Sequence, residues 1–149
     1  MKNLFESSTV EEIRDRILRL RSDSERQWGK MDPAQMLAHC SLWMEMASGI
    51  RNPPRSWLGH IFGRVAKKSI LSEKPVRPNM PTERSLLVNN TRNFAEERQR
   101  VLESISRFQT GGPEKCTQHP HCFFGPMTPA EWATLAYKHL DHHLRQFGI

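Results

Sequence analysis

Two histidines near the C-terminus stand at a spacing that suits metal binding. Residues 137–147 read YKHLDHHLRQF, which places His139 and His143 four positions apart. In an α-helix, side chains four positions apart lie one turn apart on the same face, so these two imidazoles can converge on one cation. Two histidines do not complete a metal site, and a further ligand must therefore come from another part of the chain.

A third candidate ligand, His39, lies in the segment MLAHCSLW over residues 36–43. It is one helical turn from Trp43, which places it beside the apolar side of an amphipathic helix. Buried imidazoles lose hydration, so three inward histidines need either separate hydrogen-bond partners or one shared cation. We therefore predict a three-histidine metal centre built from His39, His139 and His143.

The chemistry of such a centre follows from its donor set. Three neutral imidazoles leave one or more positions of a divalent ion open to water or substrate, which is typical of a catalytic site. The ion could acidify a bound water, hold a substrate thiol as its thiolate, or polarise an oxygen of an electrophile. Hydrolysis also needs a base, and the nearest candidates in the sequence are Glu45 and Asp141, of which Asp141 falls on the solvent side of the helical wheel. Zinc, nickel and iron all accept imidazole ligands.

The loop over residues 116–122, CTQHPHC, is a second candidate metal site. Its C-x2-H-x-H-C arrangement lacks the usual structural-zinc spacing and has no second ligand pair at the standard distance. The alternative interpretation is that His121, Phe123 and Phe124 pack over the end of the helices near the last one. Cys40 follows His39 directly and is interpreted as a buried, inert thiol.

Four main helices are predicted to position these side chains. Capping patterns at Ser8 and Thr9 begin the first, which extends to about Ser24. The remaining starts and ends are read from N-cap, proline and glycine signals. The second helix is predicted from Asp32-Pro33 to Ser48, ending at Gly49, the third from Thr82-Glu83 to Gly111-Gly112-Pro113, and the last from Thr128-Pro129 through Phe147.

A long connection separates the second and third main helices. Residues 52–56, NPPRS, cannot continue a helix, whereas residues 56–71 carry apolar side chains at helical spacing. Three prolines within residues 72–81 predict an extended, stiff linker. With no alternating strand pattern, the prediction is an all-α four-helix bundle with a helix-containing crossover, formed as a single domain over residues 1–149.

Composition limits the function classes. No apolar run is long enough to cross a bilayer, the N-terminus lacks a secretory signal, and three cysteines are too few for a disulfide framework. We therefore expect a cytoplasmic protein without a membrane partner. The net charge of +6 is spread along the chain without a nucleic-acid motif, so nucleic acid is not the expected partner. Pairing through an exposed helix face would give a homodimer.

The histidine segments together resemble a known family. Residues 35–39, QMLAH, and the pattern His139-x-x-x-His143-x-x-Gln146 are similar to the DinB-like superfamily of bacterial four-helix bundles with a three-histidine metal site. FGPMTPAEW over residues 124–132 and KHLDHHLRQFG over residues 138–148 are similar to a subfamily of uncharacterised bacterial proteins within it.

The resemblance implies an up-down-down-up bundle in which His39 is the first ligand and His139 and His143 are the pair from the last helix. His142 does not match the ligand spacing and is interpreted as a residue that supports a ligand or lies at the surface. The superfamily includes thiol-dependent S-transferases, and other members were named for induction after DNA damage.

Three function classes follow. The favoured one is a metal-dependent enzyme acting on a small molecule, such as a thiol S-transferase that uses a low-molecular-weight thiol, or a hydrolase. The second is a non-catalytic metal-binding or stress-response protein, and the third is a basic helical module that binds nucleic acid. An enzyme would leave a metal position open in a pocket, whereas a nucleic-acid binder would present one continuous basic face.

Overall fold

The computed structural model describes residues 1–149 and is all-helical, as predicted. It contains five α-helices, two short 3-10 turns and no strands. The α-helices are α1 (Ser7–Arg19), α2 (Pro33–Ala47), α3 (Trp57–Ile70), α4 (Phe94–Gly111) and α5 (Pro129–Arg145). Helix α2 packs on α4 and α5, and α1 packs on the same two helices. The fifth helix, α3, is the one predicted within the crossover.

The helices that carry the histidines begin where the sequence predicts. At the start of α2, the Asp32 side chain accepts a hydrogen bond from the Gln35 amide, and the Gln35 side chain accepts one from the Asp32 amide. Thr128 and Glu131 form the same reciprocal pair at the start of α5. These capping boxes satisfy backbone donors that the first turn leaves free. They set the starting points from which each histidine's helical position follows.

The core lies between α1, α2, α4 and α5. Ile13, Met44, Ile105 and Trp132 are each 1% exposed or less, and each comes from a different one of these helices. Burying an apolar side chain of this size contributes about 1.5–3 kcal/mol relative to leaving it in water. The core therefore fixes α2 against α5, the two helices that carry the histidines.

The third main helix begins later than predicted. Instead of starting at Thr82-Glu83, α4 starts at Phe94, where the Asn93 side chain accepts hydrogen bonds from the backbone amides of residues 95 and 96. Residues 88–93, VNNTRN, are weak helix formers and asparagine is a favoured N-cap, so the cap at Asn93 prevails. The seven-residue spacing of Leu87, Phe94, Val101 and Phe108 favours the earlier start, but Leu87 lies before the helix and is 51% exposed.

The first helix is shorter than predicted. It ends at Arg19, and Leu20 adopts an extended backbone conformation. The Ser24 hydroxyl accepts a hydrogen bond from the Arg21 amide, which closes a local turn in place of another helical turn. The chain then leads into the loop around Trp28.

Helix α3 lies on the outside of the molecule. Its contact with the body passes through Gly59 and Gly63, where an added Cβ would come within 2.5 and 2.2 Å of the Phe123 carbonyl oxygen. Lys67 of α3 also forms an ion pair with Glu131 of α5 at 3.0 Å. None of the five helices has both the length and the apolar character that a membrane crossing requires.

Candidate metal centre

The three predicted ligands meet in the structure. Side-chain nitrogens of His39 on α2 and of His139 and His143 on α5 all lie within 4.8 Å of one another. The Nε2 atoms of His39 and His139 are 3.0 Å apart, although 100 positions of chain separate the two residues. Imidazole ligands bind zinc at about 2.0–2.1 Å in a tetrahedral arrangement. Two ligand nitrogens on one ion must therefore come about as close to each other as the 3.0 Å between these Nε2 atoms.

His39 is oriented by the segment between α3 and α4. Its Nδ1 donates a hydrogen bond to the Leu86 carbonyl oxygen at 2.8 Å. Leu86 is buried at the end of the 3-10 turn Arg84–Leu86, which lies against α2. Because Nδ1 carries the proton, the neutral ring keeps its lone pair on Nε2, which faces the other histidines. A carbonyl behind a ligating histidine is the usual means of fixing the ring tautomer.

His143 is oriented by Gln146, the residue that follows the end of α5. The Gln146 amide nitrogen donates to the Trp28 carbonyl oxygen at 2.8 Å, so its Oε1 must face His143. His143 Nδ1 donates to that Oε1 at 2.9 Å, which leaves the lone pair on His143 Nε2. Gly29 has a φ of +79°, and a Cβ there would lie 2.5 Å from the Gln146 amide nitrogen. The close approach of this loop to Gln146 therefore requires glycine.

His139 has no comparable support behind its ring. Its Nδ1 is buried without a hydrogen-bond partner, and its ring stacks on Trp43 with centroids 4.8 Å apart and planes at 17°. His39 and His143 both present lone pairs at Nε2, so a proton on His139 Nε2 could satisfy only one of them. One cation satisfies all three nitrogens. The donor set therefore fits a divalent metal ion.

Burial favours the uncharged form of each ring. It lowers the pKa of His39 below its usual value and lowers the pKa values of His139 and His143 much further. Loss of hydration is the main cause in all three cases, and the neighbouring imidazoles lower the pKa values of His139 and His143 further because like charges would repel. Metal ligation needs deprotonated imidazole, which the site favours at neutral pH.

His142 does not join the cluster. It is 8% exposed and its ring lies 5.0 Å from that of His143 and 5.6 Å from Trp28, measured between centroids. Of the two interpretations from the sequence, the structure excludes a surface position. His142 packs against Trp28 and His143 beside the cluster.

The two carboxylates considered as bases are paired elsewhere. Glu45 forms ion pairs with Arg51 and Arg100, and Asp141 pairs with Arg16 and Arg145. Neither belongs to the histidine cluster. Asp141 is half-buried rather than solvent-exposed, because Arg16 of α1 folds over it. The interpretation of either residue as a base at the metal is therefore not supported.

The loop over residues 116–122 does not assemble a metal site. The Cys116 thiol faces the Ala47 carbonyl oxygen, and His121 packs against Phe124 and Trp132 with centroids 4.6 and 5.3 Å apart. Burial raises the pKa of the Cys116 and Cys122 thiols to about 11. Cys40 is likewise a free, buried thiol. The packing interpretation of this loop and the inert-thiol interpretation of Cys40 both agree with the structure.

The chain matches a known family model over nearly its whole length. A family model described as "Protein of unknown function (DUF1569)" matches residues 3–148. The chain belongs to this family. No curated protein and no solved structure matches this chain. The DUF1569 description names no activity, so the function must be argued from the histidine site, and the helical structure is compatible with the DinB-like resemblance.

Two supporting residues carried little sequence signal. Gln146 lies three positions after His143, which on a helix places the two side chains together, so the motif already contained this partner without showing its role. Leu86 acts through its backbone carbonyl, and no residue type reveals such a contact. Its position depends on the turn before α4, which the sequence analysis placed inside a helix.

Proposed function

We propose that this DUF1569 protein binds one divalent metal ion through Nε2 of His39, His139 and His143 and acts as a metal-dependent enzyme on a small molecule. One observation carries the proposal. Hydrogen bonds to Leu86 and Gln146 occupy the outer nitrogens of His39 and His143, so both rings present lone pairs to a common point beside His139. Zinc, nickel and iron all suit such a donor set.

Substrate access is supported at one edge of the cluster. His39 and His143 are buried, whereas His139 is partly exposed. Three protein ligands leave room for an exchangeable molecule on a divalent ion. When bound, such an ion lowers the pKa of a water or thiol that it holds. His139 is the least buried of the three residues, and we propose that a small molecule would reach the ion beside it.

Thiol transfer is favoured over hydrolysis by the residues near the cluster. Hydrolysis needs a base beside the reacting water, and both Glu45 and Asp141 are engaged by arginines. A free thiol ionises at about pH 8.5, whereas bulk water has a pKa of about 15.7, so a metal-bound thiol depends much less on a protein base. We therefore propose a thiol S-transferase that uses a low-molecular-weight thiol, and the net charge of +6 suits an anionic one.

A non-catalytic metal-binding role is supported by the shape of the surface. Surface hollows along α1, between Glu12 and Arg19, and near the end of α4, between Glu103 and Lys115, do not include the histidines. Enzymes generally hold substrates in a cleft at the reacting group. A stress-response protein that stores or senses metal would not need one.

The finer assignments are also proposals. We propose a DinB-like, up-down-down-up arrangement of α1, α2, α4 and α5, supported by their mutual packing and by the long crossover that contains α3. We propose a cytoplasmic location, supported by three free cysteines.

Metal content tests the site directly. Protein purified without an affinity tag should contain about one equivalent of a divalent metal by elemental analysis, and His39→Ala and His143→Ala should each contain almost none. His119→Ala is the matched control, since His119 is exposed in the loop over residues 116–122. Equal metal content in all four proteins would refute the site.

Turnover is tested separately. Metal-loaded protein is mixed with glutathione and a chromogenic electrophile, and in a second assay with a chromogenic ester. The proposal expects conjugation that depends on added metal and is absent in His143→Ala. Ester cleavage alone would indicate a hydrolase, and full metal binding without either reaction would favour the non-catalytic role.

A further inference from the structure

Helix α3 presents its large apolar side chains to solvent. We use the name "α3 apolar face" for five of its residues, each more than two-fifths exposed: Trp57 (70%), Leu58 (41%), Ile61 (61%), Phe62 (57%) and Val65 (74%). At about 100° per residue, they occupy a continuous arc of roughly 140° on the helix. Contiguous exposed apolar surface of this kind marks an interaction site rather than ordinary surface variation.

The orientation of α3 is fixed by its opposite side. Gly59 and Gly63 are its buried positions, and both sit so close to the Phe123 carbonyl oxygen that any Cβ would collide with it. Rotating the helix to bury the large residues would bring side chains into this contact. The outward display of the α3 apolar face is therefore built into the docking of the helix.

The charged side chains of α3 that form no ion pair are basic. Between Glu45 and Glu73 the sequence contains no Asp or Glu, while it contains Arg51, Arg55, Arg64, Lys67 and Lys68. Arg64 and Lys68 are exposed and flank the edge of the apolar arc at Trp57, Arg64 just outside it and Lys68 just inside it. Neither forms an ion pair, in contrast to Lys67, which pairs with Glu131. A partner that matches this surface would therefore be apolar at its centre and anionic at its margin.

We propose that α3 docks this protein on an anionic lipid surface, with the α3 apolar face buried at the boundary between headgroups and acyl chains. Interfacial helices combine a Trp-, Phe- and Leu-bearing face with basic residues on the polar side, as α3 does. Anionic lipids attract such basic residues. This peripheral contact replaces the expectation of no membrane partner, and it rests on α3 alone, independently of any metal.

A second copy of the chain is a poorer occupant. Symmetric pairing through α3 would bring together the unpaired basic side chains Arg64 and Lys68 of both copies, with no carboxylate between positions 46 and 72 to offset them. Like charges across an interface oppose association. The lipid surface instead supplies the missing negative charge, so the charge pattern selects it.

Vesicle co-sedimentation tests the proposal with the full-length protein. Phosphatidylcholine vesicles containing 30% phosphatidylserine, about a third of the lipid, should bind the protein, and pure phosphatidylcholine vesicles should bind it much more weakly. Binding should weaken as salt rises from about 0.05 to 0.5 M, because screening acts on the basic margin. Binding should fall roughly fivefold for each charge lost in Arg64→Gln and Lys68→Gln.

Matched variants separate the α3 apolar face from general effects. Ile61→Ser combined with Val65→Ser should abolish binding, whereas Leu18→Ser, an equally exposed change on α1, should not. Arg19→Gln combined with Arg107→Gln removes two exposed charges away from α3 and should leave binding within about twofold of the original. Circular dichroism and thermal unfolding confirm that each variant folds.

Three outcomes would overturn the proposal. The first is no binding to anionic vesicles, and the second is binding that the serine variants do not reduce. The third is a concentration-dependent dimer by analytical ultracentrifugation that those variants dissociate while vesicles bind nothing, which would assign the face to a second copy.

Discussion

The His121 ring and the histidine cluster both lie close to Trp43, and they differ in the direction of their ring hydrogen bonds. His121 is 6% exposed, and its Nδ1 accepts hydrogen bonds from the backbone amides of Phe123 and Phe124 at 3.1 and 3.2 Å. In the cluster, Nδ1 of His39 and of His143 instead donates outward. The His121 lone pair is used to close a turn, whereas the cluster lone pairs point at one another.

This difference shows that the hydrogen bond at one ring nitrogen determines the role of a buried imidazole. Both groups are desolvated, and both regions contain residue types that bind metals. A neutral imidazole has one donor and one acceptor, so whatever occupies Nδ1 decides what Nε2 can do. Backbone donors beside His121 make it a structural residue, and acceptors behind His39 and His143 make them candidate ligands.

The largest expected effect is a loss of metal affinity when one cluster histidine is removed. Replacing His143 by alanine removes one of three ligands, and the apparent metal affinity should fall at least about a hundredfold. Competition with a chromophoric chelator measures the dissociation constant. His121→Ala should bind metal as the original protein does, because His121 is not part of the cluster and its Nδ1 accepts from backbone amides. Equal losses in both variants would mean that the comparison between the two groups is wrong.

Acidification acts on both groups in the metal-free protein. Burial lowers the pKa of His121 to about 4 and also lowers those of the three cluster histidines. Because the unfolded chain binds these protons near pH 6.5, stability is fully present above that pH and is lost as pH falls toward the folded pKa values.

The His121 share of that loss should be about 3 kcal/mol by pH 4, at about 1.4 kcal/mol per pKa unit. Urea unfolding of chelator-treated protein between pH 7.5 and 4 measures it. His121→Ala should show a correspondingly shallower decline. A stability that does not change over this range would contradict the assignment of neutral, buried rings.

The structural role of His121 predicts a stability cost without a metal effect. His121→Ala leaves two backbone amides near Phe123 without their acceptor and removes ring packing on Trp132, which should lower the free energy of unfolding by about 2–4 kcal/mol. Urea denaturation at pH 7.5 measures the change. The exposed neighbour His119 provides the control, since His119→Ala should stay within about 0.5 kcal/mol. A cost no larger than that control would assign His121 no structural role.

The smallest effect tests how His143 is positioned. Gln146→Leu removes the acceptor behind Nδ1, and metal affinity should fall about 10–100-fold. Gln146→Glu keeps an acceptor toward His143 and should recover part of that loss. Gln109→Leu, which removes a hydrogen bond to Ser7 away from the site, is the matched control. Unchanged affinity in Gln146→Leu would show that the ring needs no support.

Much of the site was predictable because its signals are local. The capping boxes at Asp32 and Thr128 set where α2 and α5 begin, and helical spacing then puts His139 and His143 on one face. The start of α4 was predicted too early, because heptad spacing through Leu87 competed with the Asn93 cap, and the cap prevails in the structure. The outward orientation of the α3 apolar face was also not predictable from the sequence, because its apolar spacing matches that of a core helix.

The sequence by itself determined the helices, the histidine pair on one turn of α5 and the inward side of His39. Only the tertiary structure decided that these rings meet, that Leu86 and Gln146 turn their lone pairs inward, and that the arginine partners occupy Glu45 and Asp141. The physical reason is the separation along the chain over which each signal acts. Periodicity and caps act over a few residues, whereas ring orientation depends on single hydrogen bonds between segments far apart in the chain.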